Sequence, residues 1–136
     1  MTSDPQSVVR QFITAFAAGD ADTMARVLDE DVRAHITNAE GGADLIEGRQ
    51  ALVERIGSVD YGAAELTLEI TNSVSPAPDQ VLVMVEVHAV AASGERLHNF
   101  AGHLCTVPAD RITEWWMVEA LPAESDRFWA AVTAQA

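Results

Sequence analysis

A strand-like stretch near the C-terminus places a carboxylate among large apolar side chains. The sequence ITEWWMVEALP starts at Ile112, and successive side chains of a strand point to opposite faces. Glu119 therefore shares a face with Trp115 and Met117. Burial between such side chains raises the pKa of a carboxyl group and suits it to general acid–base catalysis near neutral pH. The alternative is a solvated position at the rim, or a contact that caps the following helix.

His98 is the second candidate for proton transfer. If two-residue turns join the last three strands, His98 lies one strand away from Glu119 on the same face and could exchange a proton with it. An exposed position near the mouth of the sheet is the alternative. The same pairing places these side chains on the face of Glu119: Val85, Val87, His98, Phe100, Gly102, Leu104, Trp115 and Met117.

A third group of polar residues follows the long strand. Glu86 and His88 form an E-x-H pair on one face of that strand, and the expected pairing places Asn99 and His103 across from them. Such a group could be an acid–base set or a metal site. Because it lacks a clear metal-ligand spacing, we expect no metal.

Four further residues have competing interpretations. Asn38 lies in a loop at the expected mouth and could contact a substrate, although loops are polar by default. Tyr61, the only tyrosine, is either a hydrogen-bond donor in a pocket or a packed core ring. For His35 a structural or interface position is expected, and Cys105 is expected to be a small core residue.

The composition excludes several classes of function. The chain has 136 residues, enough for one domain (1–136), and 49% are hydrophobic. Its net charge of −13, with 21 acidic residues, argues against nucleic acid or anionic membrane as a partner. It contains no lysine, which excludes Schiff-base catalysis and a lysine-bearing phosphate loop. With one cysteine, no visible signal peptide and no span-length apolar run, a cytoplasmic protein is expected.

Hydrophobic periodicity predicts helices first and an antiparallel meander afterwards. A helix starts at Asp4-Pro5 and ends at Gly19, a shorter one is capped by Asp20, and a third covers 49–57. The expected strands are 32–37, 64–74, 80–90, 96–107 and 111–121. Residues 38–48 are expected to be a loop, and Ser125 is expected to cap a C-terminal helix. This order predicts an α+β fold whose curved sheet encloses an apolar hollow under the helices.

Four stretches in this order give the chain a family resemblance: VVRQFITAFAAGDADTMARVLDEDV, IEGRQALVERI, VLVMVEVHAV and DRITEWWMVEA. The chain resembles the nuclear-transport-factor-two-like superfamily, which includes SnoaL-like polyketide cyclases, ketosteroid isomerases and limonene-type epoxide hydrolases. The resemblance implies a cone-shaped curved antiparallel sheet covered by three N-terminal helices, also described as a cystatin-like roll. It implies a homodimer through the sheet, in which Glu86 and His88 would pair across the two-fold axis.

The catalytic residues of the resembled families are mostly absent here. The tyrosine, the general base and the oxyanion-hole acid of ketosteroid isomerases fall on Phe12, Ile36 and Gly102. Of the epoxide-hydrolase set, one carboxylate is retained at Glu86, which that likeness would place inside the hollow. The residues expected to line the pocket are Phe12, Phe16, Ile36, Asn38, Tyr61, Phe100, Gly102, Trp115 and Met117.

These observations lead to one main hypothesis and two alternatives. The main one is a SnoaL-like, cofactor-free enzyme that acts by general acid–base catalysis as an isomerase, cyclase, dehydratase or epoxide hydrolase. Its substrate would be a small apolar metabolite, with Glu119 as the principal acid or base, assisted by His98 or by Glu86 and His88. The alternatives are a non-catalytic binding protein of the same fold and a metal-dependent, cupin-like enzyme.

Overall fold

The computed structural model describes residues 4–135 and contains four helices and six strands. The helices are α1 (Pro5–Ala18), α2 (Ala21–Val27), α3 (Arg49–Gly57) and α4 (Pro122–Gln135), with a 3₁₀ turn at Tyr61–Ala63. The strands are β1 (Leu28–Thr37), β2 (Ala43–Glu47), β3 (Ala64–Ala77), β4 (Gln80–Ala91), β5 (Arg96–Thr106) and β6 (Ile112–Glu119). Of the expected domain 1–136, residues 1–3 and 136 lie outside the described residues. None of the described helices has the length and apolar character needed to cross a membrane.

Local sequence signals set the ends of the first helices. The Asp4 side chain accepts a hydrogen bond from the Gln6 backbone N–H, and Pro5 occupies the first turn of α1. Gly19 ends α1 with a φ of 69°, a left-handed conformation that glycine adopts at little cost. Asp20 then caps α2 through the backbone N–H of Thr23.

The six strands form one curved, unclosed sheet in the order β2-β1-β6-β5-β4-β3. The expected α+β class is confirmed. Four strand pairs are antiparallel, whereas β1 runs parallel to β6. The helices cover the concave face, and the convex face carries the more exposed side chains.

The expected loop at 38–48 contains strand β2, which pairs with β1. The turn between them is closed by Asn38, whose side-chain oxygen accepts hydrogen bonds from the backbone N–H groups of Glu40 and Gly42. Together with β1, the segment that its glycines indicated as a loop therefore forms a β-hairpin.

The side chains of β5 face opposite to the sequence expectation. Ala91 N–H donates to the Glu95 carbonyl, so the β4–β5 loop has three residues, 92–94, and Gly94 has a φ of 89°. A three-residue loop with a left-handed glycine shifts the pairing by one residue relative to a two-residue turn, and one residue reverses the facing of every side chain. The same shift holds against β6, where Ala101 pairs with Glu119.

Three site expectations fail because of this shift, and a fourth, the place of Glu86 inside the hollow, fails because Glu86 points away from its neighbours Val85 and Val87 on β4. His98, Phe100 and Gly102 lie on the convex face and do not share a face with Glu119, Trp115 and Met117. Glu86 pairs directly with Phe100 and is also convex, so it is outside the hollow. The concave positions of β5 belong instead to the buried series Leu97, Asn99, Ala101, His103 and Cys105.

The concave core has two parts. The larger part joins α1, α2, α3 and β1 to the middle of the sheet, with Trp115 and Phe12 fully buried and their rings in edge contact at 4.9 Å. The smaller part lies under α4, where Phe128, Trp129 and Val132 meet the start of β5. The hollow that holds the candidate site lies between these two parts.

Candidate active site

A cavity of about 480 Å³ opens between α3, α4 and the concave face of the sheet. This volume falls within the range of small-molecule sites. It is lined by Phe16, Ile36, Arg55, Ile56, Ser58, Val59, Tyr61, Trp115, Met117, Glu119, Ser125, Asp126, Trp129, Ala130, Thr133 and Ala134. An inner chamber of about 50 Å³ shares part of this wall and extends to Leu66, Leu68, Val87, Ala101 and His103.

Glu119 ends strand β6 and directs its carboxyl into this cavity. The Ser125 hydroxyl, from the first turn of α4, donates to Glu119 Oε1 over 2.8 Å. Burial raises the pKa of Glu119 from an ordinary 4.5 to about 7, and the nearby Asp126 adds to the rise while the Ser125 bond opposes it. The carboxyl group is therefore half protonated near neutral pH and can both donate and accept a proton.

Tyr61 forms the wall opposite the sheet. Its ring lies against Phe16 and Trp129, with centroids 4.9 Å and 4.7 Å away. Burial is the main cause that raises the pKa of Tyr61 to about 12, and Glu119 contributes. The phenol therefore stays protonated at physiological pH and is a neutral hydrogen-bond donor.

His103 is a concave residue of β5 that is 5% exposed. The Trp115 indole Nε1–H donates to His103 Nδ1 over 3.0 Å, which makes Nδ1 the acceptor and leaves the ring proton on Nε2. Burial lowers the pKa of His103 from 6.5 to about 4, so the ring is neutral. His103 lines the inner chamber together with Tyr61 and Glu119.

The three polar groups have complementary protonation states. Glu119 titrates near neutral pH, whereas the Tyr61 hydroxyl and the His103 ring remain neutral donors. The inner chamber is otherwise mainly apolar, with Phe16, Met117 and Trp129 in the wall that it shares with the cavity. Such a chamber can bind an oxygen atom of a mostly apolar ligand and move a proton to or from a neighbouring atom.

The structure brings together only part of the expected pocket. Phe16, Ile36, Tyr61, Trp115 and Met117 line the cavity together with Glu119. Phe12 is fully buried behind Trp115 and does not line the cavity.

Asn38 is outside the cavity, contrary to expectation. Its amide nitrogen donates to Asp44 Oδ1 over 2.9 Å, and its oxygen accepts from the β1–β2 turn. This side chain therefore holds the hairpin together.

The remaining candidates form a separate cluster on the convex face. His98 Nε2 lies 2.6 Å from Glu86 Oε2, and His88 Nε2 lies 3.2 Å from the same oxygen. The two imidazole rings stack at 4.5 Å with an interplanar angle of 9°. The hydrogen bond with His98 is the main cause that lowers the pKa of Glu86. The sheet separates this cluster from Glu119, so these residues do not assist it.

The family assignment comes from comparison with known proteins. The SnoaL-like domain family matches residues 9–115, most of the chain. The chain belongs to the SnoaL-like family. The match ends at Trp115, so Glu119 and the helix that carries Ser125 lie beyond it. A search of curated proteins gave no match.

Solved structures show the same fold as this SnoaL-like domain. A nuclear-transport-factor-two-like protein from Burkholderia xenovorans LB400 has a TM-score of 0.71 at 20% identity, over 92% of this chain and 96% of that one. An M. tuberculosis epoxide hydrolase similar to limonene epoxide hydrolase has a TM-score of 0.73 at 18% identity, over 99% and 98%. A candidate SnoaL-like polyketide cyclase from Jannaschia sp. CCS1 has a TM-score of 0.74 at 15% identity, over 91% and 90%.

Sequence reasoning did not identify two polar residues of this SnoaL-like site. His103 was assigned to the wrong face, because the pairing of β5 depends on loop length and the signal was the glycine of the AASGE loop. Ser125 was expected to cap α4, but the helix starts at Pro122 and the Ser125 side chain contacts Glu119 instead.

Proposed function

We propose that this SnoaL-like domain is a cofactor-free enzyme that acts by general acid–base catalysis on a small, largely apolar, carbonyl- or epoxide-bearing metabolite. The observation that carries the proposal is the Glu119 carboxyl, which lies in the cavity with a pKa of about 7. A general acid or base works best when its pKa is close to the working pH.

The proposed mechanism assigns one role to each polar group. A carbonyl or epoxide oxygen of the ligand accepts hydrogen bonds from His103 Nε2–H and the Tyr61 hydroxyl. Glu119, as carboxylate, removes a proton from a carbon or from water, or, as carboxylic acid, donates one. Negative charge that develops on the ligand oxygen is stabilised by donors that are already oriented and desolvated, which is where such donors act most strongly.

Ser125 is a positioning residue in this mechanism. Its hydroxyl fixes one carboxyl oxygen of Glu119 and leaves the other to face the ligand. The bond also limits the rise of the Glu119 pKa that burial causes. The polar set thus gives Glu119 both an orientation and a pKa suited to proton transfer.

The alternative function is ligand binding without turnover. It is favoured by the loss of the ketosteroid-isomerase tyrosine and general base, whose positions fall on Phe12 and Ile36. The same cavity and the same two neutral donors would then hold an oxygen-bearing ligand, and Glu119 would be a polar anchor.

A turnover screen separates the two functions. Untagged protein is incubated with small cyclic ketones, enones and epoxides, and products are followed by mass spectrometry. We expect turnover by the wild type, a loss of about 10²–10⁴-fold in Glu119→Gln, and no loss in Glu124→Gln, an exposed acid on α4 outside the cavity. Saturable binding by the wild type without turnover of any of these compounds would instead support the binding protein.

We also propose that the protein forms a homodimer through the convex face of the sheet. Large apolar side chains are exposed there, including Phe100 at 47%, Trp116 at 38% and Val118 at 51%, and a contiguous patch of this kind indicates an interface. Light scattering after size exclusion should give twice the chain mass of 14.6 kDa. Val118→Asp should give the monomer mass, and a monomeric wild type would contradict the proposal.

A further inference from the structure

Three side chains with metal-ligand chemistry converge on the convex face, away from the proposed acid–base site. His88 on β4 is the direct cross-strand partner of His98 on β5, and Glu86 precedes His88 by two residues on the same face. Directly opposed residues of antiparallel strands have Cβ atoms about 4.5–5.5 Å apart. The backbone register therefore brings these three residues together, whatever rotamers the side chains adopt.

The candidate ligand atoms lie close together. One atom from each of Glu86, His88 and His98 lies within 4.8 Å of the other two. The Glu86 oxygen is 3.2 Å from His88 Nε2 and 2.6 Å from His98 Nε2. In a tetrahedral zinc site with bonds of about 2.0–2.1 Å, ligand atoms lie about 3.3 Å apart. The first distance fits such a site. The second is shorter, and because the two imidazole rings stack nearly in parallel, the histidine side chains must tilt toward one another to bind one ion.

The surroundings favour a cation and give it access. Glu69 on β3 lies directly opposite Glu86 in the strand register, and like charges in that position are destabilising. A bound divalent cation would offset this repulsion. In the single chain the side chains of His88 and His98 are more than half exposed, so an ion can enter from solvent and keep water in its remaining coordination positions.

We propose that Glu86, His88 and His98 bind a transition-metal ion of the Zn²⁺ class on the convex face of the sheet. Two imidazole nitrogens and one carboxylate oxygen suit Zn²⁺, Ni²⁺ or Cu²⁺, whereas Ca²⁺ and Mg²⁺ require mainly oxygen ligands. Three protein ligands make an open site, with at least one position for water or another ligand.

Metal titration of untagged, chelator-treated protein tests this proposal. We expect one Zn²⁺ per chain by calorimetry, no heat with Mg²⁺, and imidazole NMR shifts at His88 and His98. The signals of His35 and His103, the other two of the four histidines, should not move.

Substitutions of the proposed ligands, with a matched control histidine, test whether these side chains bind the ion. His98→Gln and Glu86→Gln should each weaken Zn²⁺ binding at least about tenfold, since loss of even an outer-shell partner costs 10–100-fold. His35→Gln is the matched control, because His35 also contacts a glutamate, Glu114, over 3.2 Å. Circular dichroism checks that each variant is folded. The proposal is wrong if Zn²⁺ does not bind saturably, if His98→Gln binds it as the wild type does, or if His35→Gln abolishes binding.

Discussion

Glu119→Gln should change the stability of the protein in a pH-dependent way, because the folded state holds this carboxyl proton more tightly than the unfolded chain. The unfolded chain loses the proton near pH 4.5 and the folded protein near pH 7. The protonated carboxyl therefore contributes stability that is fully present below pH 4.5 and is lost as the pH rises through about 7. The isosteric amide removes this contribution and retains an oxygen for the Ser125 hydroxyl.

The size of the effect follows from the pKa shift. Each pKa unit corresponds to about 1.4 kcal/mol, so a rise from 4.5 to about 7 corresponds to at most about 3.5 kcal/mol over the whole titration. Between pH 5 and pH 8 the free energy of unfolding of Glu119→Gln should increase by about 2–3 kcal/mol relative to that of the wild type.

The difference in the free energy of unfolding between Glu119→Gln and the wild type is more informative than either pH curve alone, because His103 also affects both curves. Its pKa is lowered from 6.5 to about 4, so its neutral ring contributes stability that is present above pH 6.5 and is lost as the pH falls through 4. This dependence has the opposite sign to that of Glu119 and overlaps its range. Because His103 is present in both proteins, its contribution cancels in the difference.

Urea denaturation of the wild type and Glu119→Gln at pH 5 and pH 8 measures the difference in their free energies of unfolding. Glu124→Gln is the control, since Glu124 is an exposed acid at the start of α4, the helix that carries Ser125. The difference between its free energy of unfolding and that of the wild type should vary with pH by less than about 0.5 kcal/mol. If the difference in free energy of unfolding between Glu119→Gln and the wild type is equally constant with pH, burial does not raise the pKa of Glu119.

Three further substitutions test the supports of the site. Trp115→Phe removes the donor to His103 Nδ1; it should destabilise the fold by about 1–3 kcal/mol and allow both ring tautomers, as ¹⁵N NMR would show. Ser125→Ala removes a hydrogen bond that lowers the pKa of Glu119, so carboxyl-carbon NMR should show a higher pKa than in the wild type. Gly94→Ala strains a backbone with a φ of 89°; it should lower the free energy of unfolding by about 1 kcal/mol in urea melts, and no loss would contradict the left-handed turn.

The sequence was sufficient for the fold because its signals are local and repeated. The capping residues Asp4 and Asp20 mark the starts of helices, and strict alternation marks β3 as a strand. Relations within one strand are also local: Glu119 shares a face with Trp115 and Met117 whichever face of β6 is buried.

The arrangement between strands was not predictable in the same way. Whether His98 or His103 faces the hollow depends on one residue in the AASGE loop, and β5 carries apolar side chains on both faces, Phe100 and Leu104 as well as Ala101 and Cys105. Its hydrophobic pattern therefore does not choose a face. The glycine of that loop was the available signal, since three-residue loops use glycine in the left-handed position.

The pKa of Glu119 tests the central claim most directly. It can be measured by carboxyl-carbon NMR titration of the wild type, with Glu119→Gln used to assign the signal. We expect a titration midpoint near pH 7. A midpoint near the ordinary 4.5 would mean that the carboxyl is solvated and would contradict its role as the acid or base of the site.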